Sequence, residues 1–491
     1  HNALFMSTSR GLYALSINDI SCDLEPSCTD GTEPDCTCND GLGGDLLWVY
    51  PTELPLGHSP TVVDHPTLGP VLYVGGLDKK IHAIDADPDL PSLPSDPETS
   101  YRINNRMFWT FEAGNPAQDL MPESEPGFLG AGFENNPLVI SPSGDPQTLT
   151  VYVGNRNGYF YALDAATGEI RWKFRTEGPI LLSPAYADGT VYFASNDSHA
   201  YALDALTGQP LWNAPDAPNY DPTRPPGASL KLPGEGFHSF WPVIYGDYVI
   251  LAGSEHHSDD TNNPGVGVGT LSNKLDRIAL YADVPEGEFI GPLGTEPGDW
   301  AEGTVTIDDS RATEYYENQP LRRRYFVLSR SSGQEYSFDS DDDGQPEYAP
   351  NTYCWTHGGT KYPPIIGRDG VLYQQNSYIS NPYIPRGGIS GWKFGTPFIS
   401  LVHQGNYGAV DEPLAYSAGG NLIYWALCCS REAGAYDITM PYGTPGRYWQ
   451  YFDYNLGTLC PGLPSNCSLF GGENGVYGSH GTVNPPIPHN G

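Results

Sequence analysis

The sequence predicts an all-β fold: a seven-bladed β-propeller closed by strands from both chain ends, with eight blades as the alternative. Three observations predict it. The first is an internal repeat. VYVGNRNGYFYALDAATGEIRWKF, from Val151 to Phe174, returns as VYFASNDSHAYALDALTGQPLWNA, from Val191 to Ala214. Tyr152 matches Tyr192, Asp164 matches Asp204, Gly168 matches Gly208 and Trp172 matches Trp212, each forty residues on. A fixed period of that size marks a repeat architecture. The second is the pattern inside each copy. VYV and YFYAL alternate as strands do, Asn157-Gly158 punctuates a hairpin, and Asp-Ala-x-Thr-Gly is a tight turn in which the carboxylate accepts from backbone N–H groups. The Trp on the following strand is large enough to fill the space between two sheets. One such sheet cannot bury both faces, so several must stack around an axis. The third is a count. A Pro-containing apolar strand precedes each unit: SPTVV at Pro60, NNPLVI at Pro137, SPAYADG at Pro184, WPVIYGD at Pro242, YPPIIGRDG at Pro363, EPLAYSAGG at Pro413 and NPPIPHNG at Pro485. The last has no strand after it and the N-terminal ALFMSTS has none before it, so the two are expected to share one blade and remove the sheet edges.

Taken in order, Ala3 to Ser16 reads as two strands of a blade, and LLWVY, with Trp48, resumes it. The intervening stretch, about residues 17–45, carries Cys22, Cys28, Cys36 and Cys38. Their spacing is not that of zinc ribbons, and two disulfides stapling an acidic loop are expected. VLYVGGLDKKIHAIDA from Val71 opens the next unit, which an insertion at about 87–107 separates from its Trp109. The matched pair follows. A fifth unit begins at Tyr248, is interrupted at about 256–322, and resumes at Tyr325 with YFVLSRSSGQEYSF. The sixth runs from Val371 with GWKF, Trp392 included, as its aromatic strand; the seventh runs from Leu422, with Tyr448-Trp449. The whole chain, 1–491, is expected to be one domain with these insertions.

YALDAATGEIRWKF and YALDALTGQPLWNA resemble the repeat of propellers of the pyrroloquinoline-quinone (PQQ)-like family. That family includes quinoprotein alcohol dehydrogenases and non-enzymatic outer-membrane assembly lipoproteins. The resemblance implies a fold more than a reaction. Its dehydrogenases have eight blades, a Trp beneath the quinone, a calcium at the quinone and an Asp base. The chain does not match that set residue by residue, so PQQ is not expected as a cofactor. Vicinal disulfides occur beside the quinone in those enzymes, in an early blade; here Cys428-Cys429 lies in the last unit, and pairing of one of them with Cys354 is the alternative. Cys460 and Cys467 are placed to pair locally, which leaves one of the nine cysteines over.

Other segments suggest metals. DSDDDGQPE sets Asp339, Asp341 and Asp343 at alternate positions before Gly344, with Gln345 and Glu347 offering further oxygens. That is the hard, oxygen-rich chemistry calcium requires. A structural calcium is expected, with a solvated acidic turn as the alternative. Glu255, His256, His257, Asp259 and Asp260 cluster in GSEHHSDD, but adjacent histidines of a strand point to opposite faces, and a solvated loop is expected there. His238 and His357 are read as packed residues. Asn196-Asp197-Ser198 and Asn466-Cys467-Ser468 are glycosylation sequons. No C-x-x-C-H motif for covalent haem and no G-x-S-x-G elbow occur.

The formal charge of −35 repels nucleic acid and anionic lipid. No apolar run is long enough to span a membrane. Nine cysteines in a turn-rich acidic chain favour an oxidising compartment: secreted, periplasmic or cell-surface. No signal peptide is visible and the chain starts at His1, so a processed chain is expected. The functional expectation is a non-enzymatic scaffold that binds another protein within an extracellular assembly. A PQQ- and Ca-dependent alcohol or sugar dehydrogenase is the alternative, and a carbohydrate-binding or carbohydrate-active propeller the third reading.

Overall fold

The structure is a computed structural model. It describes most of residues 3–17, 46–87, 106–119, 132–230 and 241–252, then 325–344, 363–376, 388–394, 399–403, 414–426, 432–440 and 448–452, with Leu232 and Phe237 between. Among the described residues there is no α-helix, only one 3-10 turn at Pro146–Thr148.

The described chain divides into two units, the first comprising His1–Asp197 with Tyr201–Gly227, the second the remainder. In the first unit, strands β1 (Ala3–Thr8), β2 (Gly11–Ser16) and β3 (Leu46–Pro51) form sheet 1. Sheet 2 follows with β4 (Thr61–His65), β5 (Gly69–Gly75), β6 (Lys80–Asp85) and β7 (Met107–Glu112). Sheet 3 is β8 (Leu138–Ile140), β9 (Thr150–Gly154), β10 (Tyr159–Asp164) and β11 (Ile170–Arg175). Sheet 4 is β12 (Ala185–Ala187), β13 (Thr190–Ser195) and β14 (His199–Asp204), the first residues of β14 grouping with the second unit. Each sheet is an antiparallel meander in chain order, and six of the seven Pro markers stand directly before a sheet's first strand.

The repeat has a common register. On β5, β6 and β7, Tyr73 faces Ala83 and Ala83 faces Trp109. On β9, β10 and β11, Tyr152 faces Ala162 and Ala162 faces Trp172. In sheet 1 the row is Phe5, Ala14 and Trp48. The small central Ala leaves room for two aromatic rings side by side. In all three sheets the register shifts immediately after that Ala, and a bulge there re-aims the outer strand.

Alternation sends the two faces of each strand to different neighbours. Leu72 and Val74 of β5 pack with Leu12, Trp48 and Tyr50 of sheet 1, whereas Val71 and Tyr73 pack with Val151, Val153 and Tyr161 of sheet 3. Both faces are buried, so consecutive sheets stack face to face. Phe160 of sheet 3 lies flat on Phe193 of sheet 4, ring centroids 4.1 Å apart.

The second unit repeats the plan. Sheet 5 is β15 (Val243–Tyr245), β16 (Tyr248–Ala252) and β17 (Tyr325–Ser329). Sheet 6 is β18 (Ile365–Ile366), β19 (Val371–Asn376), β20 (Gly388–Lys393) and β21 (Ile399–His403). Sheet 7 is β22 (Ala415–Ser417), β23 (Leu422–Ala426), β24 (Glu432–Asp437) and β25 (Tyr448–Phe452). Leu372 packs with Ile250 and Val327 of sheet 5, and its neighbour Tyr373 with Ile423 and Tyr436 of sheet 7.

Sequence and structure differ at two points. GWKF is not an outer strand: Trp392 lies on β20, the third strand, opposite Leu372 and Ile399. Of the two matched tryptophans expected between sheets, Trp212 is 1% exposed but Trp172 is only half-buried.

Candidate functional site

The meander gives every sheet two ends. Second and third strands join by a hairpin at one end; the third strand leaves at the other, in sheets 3 and 4 through the Asp-Ala-x-Thr-Gly turn. In the first unit these ends carry different chemistry.

At the turn end, the Asp164 carboxylate accepts from the N–H groups of Ala166 (2.9 Å) and Thr167 (3.0 Å). Asp204 does the same for Leu206 and Thr207. Gly168 and Gly208 close the turns at φ +76° and +72°. The turn is also a docking knob. Tyr73 O–H and Trp109 Nε1–H of sheet 2 both donate to the Ala165 carbonyl, at 2.8 and 3.0 Å. Tyr152 and Trp172 of sheet 3 donate in the same way to Ala205, at 2.7 and 3.1 Å. Ser329–Gly333 in the second unit has the same backbone closure, with Gly333 N–H donating to the Ser329 carbonyl and Ser329 N–H to that of Gln334.

Arg171 braces the sheet 3 turn, bonding Asp164 Oδ2 at 2.7 Å. Burial, the larger effect, pushes Asp164 up; the guanidinium and the turn N–H groups outweigh it and hold the carboxyl below its ordinary range. Leu211 stands in place of Arg171 in sheet 4, and Phe108 in sheet 2. Both are exposed, as are Ile17, Met107 and Leu206 at the same ends of their sheets.

The hairpin end is polar and closed. Three pairs recur four residues apart: Asp78 with His82, Asn157 with Tyr161, and Asp197 with Tyr201. His82 Nε2 and Asp78 Oδ2 are 3.0 Å apart, and Nδ1 lies 3.0 Å from the Tyr50 hydroxyl. With Nε2–H donating to the carboxylate, Nδ1 is left to accept from Tyr50. Burial, then the Asp78 charge, pushes the Tyr50 hydroxyl up to about 12. Tyr161 donates to Asp119 Oδ2 at 2.8 Å, and Lys173 Nζ meets the other oxygen at 2.7 Å while lying over the Tyr159 ring. Asp119 is completely buried. Tyr201 donates to Asp197 Oδ2 at 2.5 Å. Burial and these carboxylates push Tyr161 and Tyr201 well above the ordinary phenol value. At neutral pH the three phenols are therefore donors, not bases. Arg156 pairs with Glu134 at the same end.

The structure places Trp48, Trp109, Trp172, Trp212, Asp164, Asp204, Gly168 and Gly208 as described, in the interfaces and turns. It does not describe the acidic loop residues Asp339, Asp341, Asp343, Gln345 and Glu347, nor Cys22, Cys28, Cys36, Cys38, Cys354, Cys428, Cys429, Cys460 and Cys467. The same holds for the His256-His257 cluster, His238 and His357. The sequon at Asn196 is not accessible as folded, because Asn196 is 3% exposed. Sequence reading did not single out the hairpin row. Its signal was present: Asn157 and Tyr161 lie forty residues before Asp197 and Tyr201.

Among the described residues no helix is long and apolar enough to cross a membrane, and no group of three or more His, Cys, Asp or Glu is arranged to hold a metal. Residues 131–256 match a PQQ-type repeat family whose model is described as outer membrane protein assembly factor BamB. No curated protein matches the chain significantly. Among solved structures, BamB from Moraxella catarrhalis is similar at TM-score 0.41 and 10% identity, over 92% of this chain and 85% of that one. The computationally designed Ika8 protein is similar at TM-score 0.38 and 10% identity, over 87% and 78%.

Proposed function

We propose that this chain, whose residues 131–256 carry the PQQ-like repeat, works by contact, as a protein-binding scaffold within an extracellular or cell-surface assembly. One observation carries the reading. At the hairpin end of the first unit buried ionisable groups bond one another, His82 with Asp78 and Tyr50, Asp119 with Tyr161 and Lys173, and Asp197 with Tyr201, while the turn end exposes Ile17, Met107, Phe108, Leu206 and Leu211. Five exposed aromatic and aliphatic residues gathered at one end, where the hairpin end of that unit has Leu54 alone among the described residues, are the composition of a contact surface. With a chain charge of −35, a partner that brings basic residues around an apolar centre is favoured.

The architecture proposed for it is a seven-bladed propeller. Seven sheets are described, and sheet 1 has three strands among the described residues. Leu4 and Met6 occupy the register positions of Val151 and Val153, which are fully buried in sheet 3, yet Leu4 is 49% and Met6 43% exposed. Closure by a C-terminal strand, as the sequence leads one to expect, would pair β1. By the register of β8 on β9, Ile487 would lie opposite Leu4. A Leu4→Cys, Ile487→Cys pair should then oxidise to an intramolecular disulfide.

The functional test is a triple variant, Phe108→Glu, Leu206→Glu and Leu211→Glu. A partner crosslinked to the wild-type protein in its own envelope fraction, and shown to bind the purified chain, should be lost with the variant at unchanged thermal stability. Unchanged binding would defeat the reading. So would turnover of an alcohol by the purified chain with PQQ and Ca²⁺, which would establish the dehydrogenase instead.

A further inference from the structure

Two buried hydrogen-bond donors between sheets 1 and 2 have no acceptor among the described residues. Trp48 is 2% exposed and Arg106 6%, and neither Trp48 Nε1 nor Arg106 Nη2 is bonded. They are neighbours: the guanidinium carbon lies 4.9 Å from the centroid of the Trp48 ring. In the next two interfaces the indole N–H reaches the carbonyl of Ala165 or Ala205. Sheet 1 keeps the register but changes the chemistry. Phe5 replaces the tyrosine, and the turn of sheet 2 reads Asp85-Ala86-Asp87-Pro88 in place of Asp-Ala-x-Thr-Gly.

Arg106 packs over the Trp48 ring here. Its Nη1 donates to the carbonyls of Asp87 at 2.7 Å and, more weakly, Asp85 at 3.5 Å. Among the described residues no carboxylate stands within ion-pair distance of it. Burial pushes the guanidinium down, against the pull of Asp85 and Asp87. A buried guanidinium whose Nη2 lacks an acceptor, stacked on a buried indole whose N–H lacks one too, calls for an acceptor that carries charge.

We propose that Trp48 Nε1 and Arg106 Nη2 form a binding site for one small monovalent anion of the halide class. The burial of both donors favours a compact, weakly hydrated ion. A divalent oxyanion would have to lose the hydration of a second charge beside Asp85 and Asp87. Those two carboxylates also oppose any anion, so binding is expected to be modest, and the bound ion acts as a structural bridge across the first interface. It stands where a backbone carbonyl stands in the next two.

The test uses the full chain and bromide as the probe. Thermal unfolding is followed while sodium bromide replaces sodium gluconate at constant ionic strength. The wild-type melting temperature should rise saturably, and sodium sulfate at matched ionic strength should not reproduce the rise. Arg106→Met keeps the apolar stem and should abolish the response; Trp48→Phe keeps a ring without the N–H and should weaken it. An anomalous bromide peak within hydrogen-bond reach of both nitrogens should appear in a crystal. A wild-type protein indifferent to bromide overturns the proposal, as does an equal response in Arg106→Met. If that variant does not fold, an unaltered response in Trp48→Phe overturns it.

Discussion

Trp172 and Ala205 belong to different sheets, yet the indole N–H of one donates to the carbonyl of the other at 3.1 Å, and Tyr152 reaches the same oxygen at 2.7 Å. Two donors on one acceptor make a coupled unit. Tyr152→Phe or Trp172→Phe alone leaves the carbonyl bonded, and each should cost about 1 kcal/mol in urea unfolding. The double variant strands that oxygen between the sheets and should cost about 1 kcal/mol more than the sum. Simple additivity would show that the two bonds are independent.

The turn glycines test the same interface from the other side. A Cβ at Gly168 would lie 2.5 Å from Trp109 Cε3, and one at Gly208 2.7 Å from the Trp172 ring, both at positive φ. Either Gly→Ala change combines overpacking with backbone strain and should cost about 2–4 kcal/mol. Gly189 has a similar φ of +84° but nothing within 4 Å, so Gly189→Ala should cost only about 1 kcal/mol. Equal losses at all three positions would mean that the tryptophans do not press on the turns.

The acid side of the stability profile has a named contributor. His65 Nδ1 accepts from Thr67 N–H, Thr67 O–H and Leu68 N–H, so it must be unprotonated. Burial, the larger effect, lowers its pKa from the ordinary 6.5, against the opposing charge of Asp164. A lowered folded pKa means the unfolded chain binds the proton more readily. The contribution is therefore complete above pH 6.5 and is lost as pH falls from there toward the folded value. His65→Asn retains an acceptor without titrating and should flatten this part of the curve; an unchanged slope assigns the loss elsewhere.

Calcium at Asp339, Asp341 and Asp343 is expected to raise the melting temperature, with Gln345 and Glu347 completing the oxygen set. Asp342 within this loop has φ +60°, in keeping with a sharp turn. Chelation, or Asp341→Asn with Asp343→Asn, should lower the melting temperature by several degrees, since about 1 kcal/mol shifts a large domain by roughly 2–4 °C. A melting curve unmoved by chelator and by both substitutions would leave a plain acidic turn.

The sheets were legible in the sequence because their determinants are local and periodic. Alternation set the strands, Asp and Gly at fixed offsets set the turns, and the Pro-marked strands fell before six of the seven sheets. Trp392 misled because GWKF copies the outer-strand pattern without its Asp-Ala-x-Thr-Gly turn, and pairing on both sides placed it one strand inward. Other features depended on groups far apart in the chain. No spacing announces that Tyr73 and Ala165 will meet, or that Asp119 will be buried under Tyr161 and Lys173. Whether a tryptophan N–H finds its acceptor is decided across an interface: Trp109 finds the Ala165 carbonyl, and Trp48, with the same register in its own sheet, does not. A strand's own residues determine its pleat and turns. Its hydrogen-bond partners on the packed face belong to the next sheet, and only the stacking of sheets supplies them.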